Sequence, residues 1–243
     1  MKIIYKKMEP LDSPTLSILM PVFNEKDRVQ QALEELLRSA IPCSYEIIVV
    51  DDGSTDGTTE ILQNIVRSPS TIHLLTHPTN QGKGAALRNA ITKARGKFCL
   101  IQDADLEYNP SDIPLLLEPL LQDGADIVYG SRFWGWKKRR VLFFWHAVGN
   151  RVLTFFVNML ADLNLTDVET GYKAFRTSLL RGLNLRSNRF EFEVEVTIKA
   201  ARRGYIFYEV PISYHGRTYA EGKKITWWDG IKALFASVYF RFF

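Results

Sequence analysis

Strand-like and helix-like segments alternate along the first half of the chain, and this alternation limits the fold more than any other feature of the sequence. Short apolar runs typical of buried strands occur at residues 16–23, 46–50, 72–76, 98–101 and 125–129. Between them apolar side chains recur at helical spacing, as in Leu87, Ala90, Ile91 and Ala94. Such alternation produces right-handed crossovers between parallel strands. The sequence therefore predicts an α/β fold with a Rossmann-like, mostly parallel sheet flanked by helices.

Acidic side chains follow three of the predicted strands at the points where the strands end. Glu25 comes after the first strand, Asp52 after the second, and the run QDADLE at residues 102–107 after the fourth. In open α/β sheets, ligands bind in the crevice beyond the carboxyl ends of the strands. We therefore expect the three acidic loops to converge on one ligand site.

The run QDADLE has the composition of a metal site. Asp103 and Asp105 lie two residues apart, so in extended chain their side chains share a face and can hold one hard cation. Mg²⁺ or Mn²⁺ takes one or two protein carboxylates and completes its shell with water and substrate phosphate. The pattern favours a metal-diphosphate site, with a solvated acidic turn as the alternative.

A glycine-rich segment carries Lys83 at the start of the third predicted helix. Backbone N–H groups and an ammonium can approach a phosphate in such a loop, and a simple helix-start turn is the alternative. The segment lacks the third glycine of a dinucleotide fingerprint, and the chain has no Walker sequence. The acidic turn at residues 51–57 lacks the Glu that an EF-hand needs at its twelfth position.

Composition excludes several classes of protein. The net charge of the 243 residues is only +4, so a general nucleic-acid surface is not indicated. Two cysteines, Cys43 and Cys99, lie in apolar surroundings and predict buried thiols rather than a disulfide framework. The N-terminal residues have no apolar core of signal-peptide type, so we expect a cytoplasmic protein.

Four motifs occur in order at plausible spacing: SILMPVFNE, IIVVDDGSTDGT, NQGKGAALRNA and QDADLE. Together they resemble the family 2 glycosyltransferases of the GT-A fold. The resemblance implies a nucleotide-diphospho-sugar donor, with Mg²⁺ or Mn²⁺ held by Asp103, Asp105 and Glu107. It also implies a set of donor-binding residues, namely Pro21, Val22, Glu25, Asp52, Lys83, Asp103, Ala104 and Asp105.

The second half of the chain begins with aromatic residues around a basic run. Trp134 and Trp136 precede four consecutive cations at residues 137–140, and further aromatics follow. The pattern favours an anionic lipid surface over a solvated loop. The apolar stretch at residues 141–165 is broken by His146, Asn150, Arg151 and Asp162, so it predicts interfacial or packed helices rather than a membrane span.

The end of the chain offers three further elements. Residues 190–196 alternate as a strand would, but Val194, Ile198 and Ala201 keep helical spacing and Gly204 suits a C-cap, so we predict a helix. Residues 205–214 predict a late strand. The tail has one apolar helical stripe behind Trp227 and Trp228, which favours an amphipathic helix at a membrane interface over a cover for the core.

The segments TDVETGYKAFR, GSRF and HGRTYAEGKKI are similar to the polyprenyl-phosphate branch of the family, to which dolichyl-phosphate mannose synthase belongs. The resemblance implies that Asp167 is the acidic residue of that branch. It aligns Lys223 with a catalytic-loop lysine, and it implies acceptor-phosphate contacts by Arg132, Arg139, Arg217 and Lys223. The branch often has arginine where this chain has Lys173.

The sequence thus predicts one glycosyltransferase domain over residues 1–243. Residues 15–130 form its nucleotide-sugar half, and residues 131–243 its acceptor and membrane-interface half. The predicted reaction moves a hexose, with inversion, from a GDP-mannose or UDP-glucose type donor to a dolichyl or undecaprenyl phosphate at the cytoplasmic face of a membrane. A phosphate acceptor needs no general base, because it is largely dianionic at neutral pH. The expected catalytic residues are Asp105, Asp167, Arg132, Arg217 and Lys223.

Two alternative functions stay open at this point. A cytosolic transferase of the same family would add sugar to a glycan hydroxyl, and Asp167 or Glu169 would then act as the base. A non-catalytic nucleotide-binding protein at a membrane surface would have little use for three carboxylates at one strand end. We expect no nucleic-acid partner, and the sequence does not identify a membrane-protein partner.

Overall fold

The computed structural model describes residues 13–67, 71–135, 140–141, 143–218 and 227–243. Its strands are β1 (Leu16–Val22), β2 (Tyr45–Asp51), β3 (Ile72–Thr76), β4 (Phe98–Ile101), β5 (Ile127–Ser131), β6 (Lys173–Arg176) and β7 (Phe207–Pro211). Its helices are α1 (Val29–Arg38), α2 (Thr58–Ile65), α3 (Lys83–Lys93), α4 (Ile113–Gln122), α5 (Phe144–Ala161), α6 (Thr177–Gly182), α7 (Glu191–Arg202) and α8 (Trp227–Phe242).

The seven strands form one mixed sheet in the order β3-β2-β1-β4-β6-β5-β7. Strands β1 to β4 pair in parallel, as the alternation predicts, and β5 pairs in parallel with β7. Strand β6 runs antiparallel between β4 and β5. The mostly parallel α/β sheet is therefore confirmed. Strand β6 was not indicated by the sequence pattern, because its residues KAFR have a cation at each end and lack the apolar run that marks the equally short β4.

Two apolar layers cover the two faces of the sheet. Leu19, Ile101 and Tyr129 belong to one layer together with α3 and α7, and Ile18, Leu100 and Val128 belong to the other with α1 and α4. Neighbouring residues of one strand thus enter opposite layers, as the pleat requires. Burial on both faces explains why these strands read as continuous apolar runs.

The boundaries of two strands differ from the sequence prediction. Strand β5 begins at Ile127 rather than at residue 125, because the Ala125 N–H donates to Pro119 O at the end of α4. Strand β7 occupies only the middle of the predicted segment 205–214. Gly204 follows α7 with a positive φ of 71°, as a residue after a helix end often has.

Helix α7 forms where the alternating glutamates suggested a strand. Glu193 and Glu195 are buried in it, but each carboxylate is paired, with Lys173 and with Lys199 respectively. The buried charges thus break the apolar face of the helix, which is why the segment imitates a strand. The predicted helix is confirmed.

Helices α5 and α8 pack on each other and expose apolar side chains. On α5, Val152, Phe155 and Met159 follow helical spacing and are at least half exposed. On α8, Phe235 and Phe242 are exposed while Ala233 and Phe240 are buried. In the part of the chain that the structure describes, no helix has both the length and the apolar character to cross a membrane.

Candidate active site

A cavity of about 910 Å³ opens at the carboxyl ends of β1, β2 and β4. Residues that the sequence analysis assigned to the donor, the metal and the acceptor line this one cavity: Pro21, Val22, Glu25, Asp52, Lys83, Asp103, Ala104, Asp105, Glu107, Arg132 and Arg217. The three acidic loops thus converge as predicted. Arg139 and Lys223 lie outside the described residues, as does most of the basic run.

Arg217 binds three carboxylates from two of the acidic loops, the one after β1 and the one after β4. Its Nη2 lies 2.7 Å from Asp105 Oδ2, its Nε 3.2 Å from Glu107 Oε1, and its Nη1 3.4 Å from Glu25 Oε1. These carboxylates hold the pKa of Arg217 above its usual range, although burial opposes them. Arg217 therefore contacts the acidic, donor end of the cavity, whereas the resemblance implied a contact with the acceptor phosphate.

The carboxylates at the donor end carry more negative charge than the neighbouring cations neutralise. Burial raises the pKa of Asp105 to about 7, and the charges of Asp103 and Glu107 add to the effect. A divalent cation would relieve this repulsion, and carboxylate oxygens are the ligands that Mg²⁺ and Mn²⁺ prefer. The donor set thus fits such a cation.

The three carboxylates do not, however, face a common point. Asp103 pairs with Lys83, while Asp105 and Glu107 pair with Arg217. Among the described residues, no group of three or more His, Cys, Asp or Glu side chains is arranged to hold a metal ion. Metal binding by Asp103, Asp105 and Glu107 therefore stays a prediction and requires these side chains to rotate.

Other parts of the protein fill the space beside the glycine-rich segment before α3. Gly82 N–H donates to Asp52 Oδ2 at 2.7 Å, and Ala85 N–H donates to Asn188 O at 3.1 Å. A Cβ at Gly84 would lie 2.4 Å from Ser187 O, so the chain passes too close for a phosphate to enter there. The backbone of this segment is a helix-start turn, and Lys83 is its one cation that lines the cavity among the described residues.

Asp52 organises the loop that leads into α3. Its Oδ1 accepts from Gln81 N–H at 2.9 Å and lies 2.7 Å from Nδ1 of the buried His77. Since Gly82 N–H occupies the other oxygen, Asp52 holds the loop in place. Asp52 is also predicted to contact the nucleoside. That contact requires a carboxylate lone pair that these hydrogen bonds do not use.

Behind Lys83 lies a chain of buried ion pairs that the sequence analysis missed. Lys83 Nζ lies 2.9 Å from Asp103 and 3.3 Å from Glu193 Oε1, the second being an ion-pair distance without hydrogen-bond geometry. Glu193 in turn binds Lys173, whose side chain is 0% exposed. Burial opposes ionisation of Glu193, but the two ammonium groups hold its pKa below the usual range. One sequence signal points to this pair: Lys173 stands at the start of the short segment that forms β6.

Arg132 and Asp167 form a second, two-pronged ion pair. Arg132 Nε donates to Asp167 Oδ2 at 2.6 Å and its Nη2 to Oδ1 at 2.7 Å. Asn150 of α5 also donates to Asp167, at 3.2 Å. Glu209 of β7 accepts from the backbone N–H of Asp167 and of Thr166, which fixes the loop. In this arrangement Asp167 orients Arg132.

Gly171 is a second residue that the sequence analysis missed. It is the last residue of the sequence ETG at residues 169–171. Its N–H donates to the hydroxyl of Tyr108 at 2.8 Å, and a Cβ there would lie 2.4 Å from Asp103 Oδ2. Tyr108 stacks on Tyr172, with ring centroids 5.1 Å apart. The loop before β6 therefore has to pass directly behind the carboxylate that ends β4.

The cavity also has an apolar end. Beyond Arg132 its walls come from α5, α8 and the segment before α5, and they include Val141, Phe143, Trp145, Val152, Leu153, Ile231 and Leu234. The charged end and the apolar end belong to the same cavity. A mostly parallel sheet with an acidic cavity at its carboxyl end defines an α/β protein that binds its ligand in that crevice.

The comparisons with known proteins identify the class more closely. Residues 17–183 match the family described as glycosyl transferase family 2. The chain belongs to this family and is a glycosyltransferase, as the motifs predicted.

Two relatives act on polyprenyl phosphates according to their names. An undecaprenyl-phosphate mannosyltransferase of Micrococcus luteus is 32% identical over 217 residues, which cover 84% of this chain and 85% of the relative. A dodecaprenyl-phosphate galacturonate synthase of Rhizobium johnstonii is 27% identical over 221 residues, 88% of this chain and 63% of the relative.

Solved structures confirm the GT-A fold. The chain is similar to a glucosyl-3-phosphoglycerate synthase from Mycobacterium tuberculosis, crystallised with Mn²⁺, UDP and its product. The TM-score is 0.70 at 20% identity, and the match covers 94% of this chain and 80% of the other. A crystal of the same synthase with Mg²⁺ and UDP gives a TM-score of 0.67 at 19% identity and covers 93% and 79%.

Proposed function

We propose that this glycosyltransferase moves a hexose from a nucleotide-diphospho-sugar to a polyprenyl phosphate, with inversion at the sugar. The observation that carries the proposal is the continuous cavity. Its acidic end suits a nucleotide diphosphate with its cation, and its apolar end suits a prenyl chain. Arg132 contacts both sides: it binds Asn150 of α5 and packs over Tyr214, whose hydroxyl donates to Glu107. The names of the two relatives support the same acceptor class.

The donor occupies the half of the cavity formed by residues 15–130. Pro21, Val22 and Asp52 are proposed to contact the nucleoside and Lys83 the diphosphate, because all four line this part of the cavity. Asp103 and Asp105, with Glu107 beside them, would hold Mg²⁺ or Mn²⁺. When bound, the cation neutralises the charge that develops on the departing nucleotide diphosphate. The likeness to structures that contain Mn²⁺ or Mg²⁺ supports this assignment.

The acceptor occupies the half formed by residues 131–243. Arg132, held by Asp167, presents a guanidinium at the junction with the apolar walls. A phosphate monoester has a second pKa of about 6, so it is largely dianionic at neutral pH and attacks without a general base. Positioning and charge then account for catalysis. Arg139 and Lys223 are proposed as further phosphate ligands.

The same proposal places the protein on the cytoplasmic face of a membrane, as a peripheral protein. Exposed apolar side chains on α5 and α8 lie beside the apolar end of the cavity. A helix pair of this kind suits the interface between headgroups and acyl chains. The prenyl chain would then leave the cavity directly into the bilayer.

The test is a transfer assay. Wild-type protein is incubated with radiolabelled GDP-mannose or UDP-glucose, undecaprenyl phosphate and Mg²⁺ or Mn²⁺, and the lipid is extracted into organic solvent. We expect label in the lipid phase and none in excess chelator. Asp105→Asn should abolish transfer while keeping the thermal unfolding transition, and the exposed Glu34→Gln is the control. Full activity in chelator would overturn the metal assignment.

A pH profile separates a phosphate acceptor from a glycan hydroxyl. With a phosphate acceptor, Arg132→Ala and Asp167→Asn should both raise the acceptor KM, because Asp167 acts through Arg132. With a hydroxyl acceptor, Asp167→Asn should lower kcat by a factor of about 10² to 10⁴ and remove the alkaline plateau, while Arg132→Ala matters little. The second result would overturn the phosphate acceptor.

A further inference from the structure

Glu169 is a half-buried acid in the active-site cavity, and the proposed mechanism gives it no role. It lies in the turn before β6 and lines the cavity. Its Oε1 is buried and has no hydrogen-bond partner among the described residues. Buried polar atoms are nearly always paired, and an exception in a cavity points to a ligand.

Two cations, Lys173 and Arg132, favour the charge of this carboxylate, but no described residue donates a hydrogen bond to its Oε1. Lys173, a cation that faces it, has three N–H groups, and Val168 O, Thr170 O and Glu193 accept all three. Glu193 and Asp167 face it as well and repel its charge. The missing partner of the ionised carboxylate is therefore a hydrogen-bond donor, because a negatively charged phosphate oxygen would be repelled by it.

The position of Glu169 identifies the part of the substrate that it meets. Two residues before it, Asp167 binds the Arg132 guanidinium on the acceptor side. Two residues after it, Gly171 faces the donor side, since a Cβ there would lie 2.4 Å from Asp103 Oδ2 and 3.3 Å from Lys83 Nζ. The transferred sugar moves from the donor side to the acceptor side and therefore passes Glu169. A hexose carries several neutral hydroxyl groups that can donate hydrogen bonds.

We infer that Glu169 accepts a hydrogen bond from a hydroxyl of the transferred hexose and so helps to select the sugar. The inference rests on the proposed function, and it adds a sugar-binding residue to it. Burial and the charge of Glu193 raise the pKa of Glu169 to about 7, as expected for a carboxylate whose partner is absent. A hydroxyl donor would stabilise the charged form.

The experiment pairs variants of Glu169 with altered donors. Glu169→Gln and Glu169→Ala are compared with wild type, and Glu60→Gln on the exposed side of α2 is the matched control. The probes are GDP-mannose and UDP-glucose, with their 2-, 3-, 4- and 6-deoxy sugar analogues, and undecaprenyl phosphate as acceptor. The readouts are kcat/KM for each donor and calorimetric binding of free GDP and UDP.

With the intact donor we expect each Glu169 variant to lower kcat/KM by about 10- to 100-fold, the range for a hydrogen bond to a charged group. With one deoxy donor, wild type should lose a similar factor and the variants should lose nothing further. Free nucleotide should bind all proteins equally. Equal losses for every deoxy donor in wild type and variants would overturn the inference.

Two more outcomes separate this inference from its alternatives. Because no described residue donates a hydrogen bond to Glu169 Oε1, Glu169→Gln and Glu169→Ala should melt at or above the wild-type temperature. A drop of several degrees in both would show that the carboxylate supports the fold, and would overturn the sugar contact. If wild type transfers no hexose from either donor, the proposed function itself is overturned. If wild type transfers hexose normally but the losses from the Glu169 variants and from the deoxy donors simply add, only the sugar contact is overturned.

Discussion

Gly171 is the residue where the smallest change should have the largest local effect. Its Cα faces Asp103 so closely that a methyl group would lie 2.4 Å from Oδ2 and 3.3 Å from Lys83 Nζ. Real Cβ atoms do not approach other atoms to this distance, so the Asp103 carboxylate must move. The glycine of the ETG motif thus shapes a site that lies almost 70 positions earlier in the chain.

We expect Gly171→Ala to weaken Mn²⁺-dependent binding of UDP or GDP by at least about tenfold, since the displaced carboxylate is a proposed metal ligand. Titration calorimetry with and without Mn²⁺ measures this. Gly182→Ala is the control, because a Cβ there meets only the flexible end of Arg203 at 3.2 Å. Unchanged binding by Gly171→Ala would show that Asp103 is not needed for the cation.

Glu169 also makes a prediction for stability against pH. Its pKa rises from 4.5 to about 7 on folding, so the folded state binds this proton more tightly than the unfolded state. The free energy of unfolding should therefore fall as pH rises from about 4.5 to about 7, and level off above that. Asp105 shifts in the same direction, so the contribution of Glu169 appears only in a comparison.

The measurement is urea unfolding of wild type and Glu169→Gln at pH 5 and at pH 8. The variant should gain stability relative to wild type at pH 8 and little at pH 5, because only the ionised carboxylate is costly to bury. Equal differences at the two pH values would contradict the raised pKa.

At the scale of elements, α7 supplies the carboxylate that links β6 to α3. Glu193 reaches from this helix to Lys173 on β6 and to Lys83 at the start of α3. It thereby ties the inserted antiparallel strand to the helix that carries the cavity lysine. Breaking a buried ion pair leaves an uncompensated charge, at a cost of about 3–5 kcal/mol.

We expect Glu193→Gln to lower the free energy of unfolding by about 3 kcal/mol or more, for this reason. Replacing Lys173 by Met in the same protein should recover part of the loss, since the unpaired ammonium is then removed. The exposed pair Arg38–Glu34 on α1 serves as the control, and its loss should cost less than about 1 kcal/mol. Strictly additive losses in the double variant would mean that the two charges do not interact.

At the scale of the whole molecule, one end of the cavity is charged and the other continues into exposed apolar helices. Phe155 of α5 is 64% exposed and Phe235 of α8 is 72% exposed. Side chains of this size on two neighbouring helices form an apolar surface larger than scattered exposed residues do. The membrane interface proposed above accounts for it.

We expect purified protein to sediment with vesicles of phosphatidylglycerol and phosphatidylcholine. Phe155→Ser with Phe235→Ser should weaken this binding, because both aromatic groups leave the interface. Neutralising residues 137–140 and adding salt should weaken it too, since each basic residue near the surface contributes about 1 kcal/mol. Leu121→Ser on α4, 47% exposed, is the control. Binding that survives all three changes would contradict the interface.

The sequence alone determined the α/β alternation, the crevice with its acidic loops and the family. Each of these depends on local signals in the chain: the period of the apolar residues, the acidic residues at the ends of strands, and the order of the motifs. Glu25, Asp52, Asp103 and Asp105 were found in this way, and they line one cavity.

The tertiary structure decided what distant residues do to one another. Glu193 meets Lys173 and Lys83, Arg217 crosses to Asp105, and Gly171 makes room for Asp103, all across long separations in the chain. No spacing rule anticipates such pairs. The contacts of Lys173 and Gly171 depend on β6 entering the sheet antiparallel between β4 and β5. The residues of β6, KAFR, lack an apolar run, yet their place in the sheet brings the ETG loop into the site.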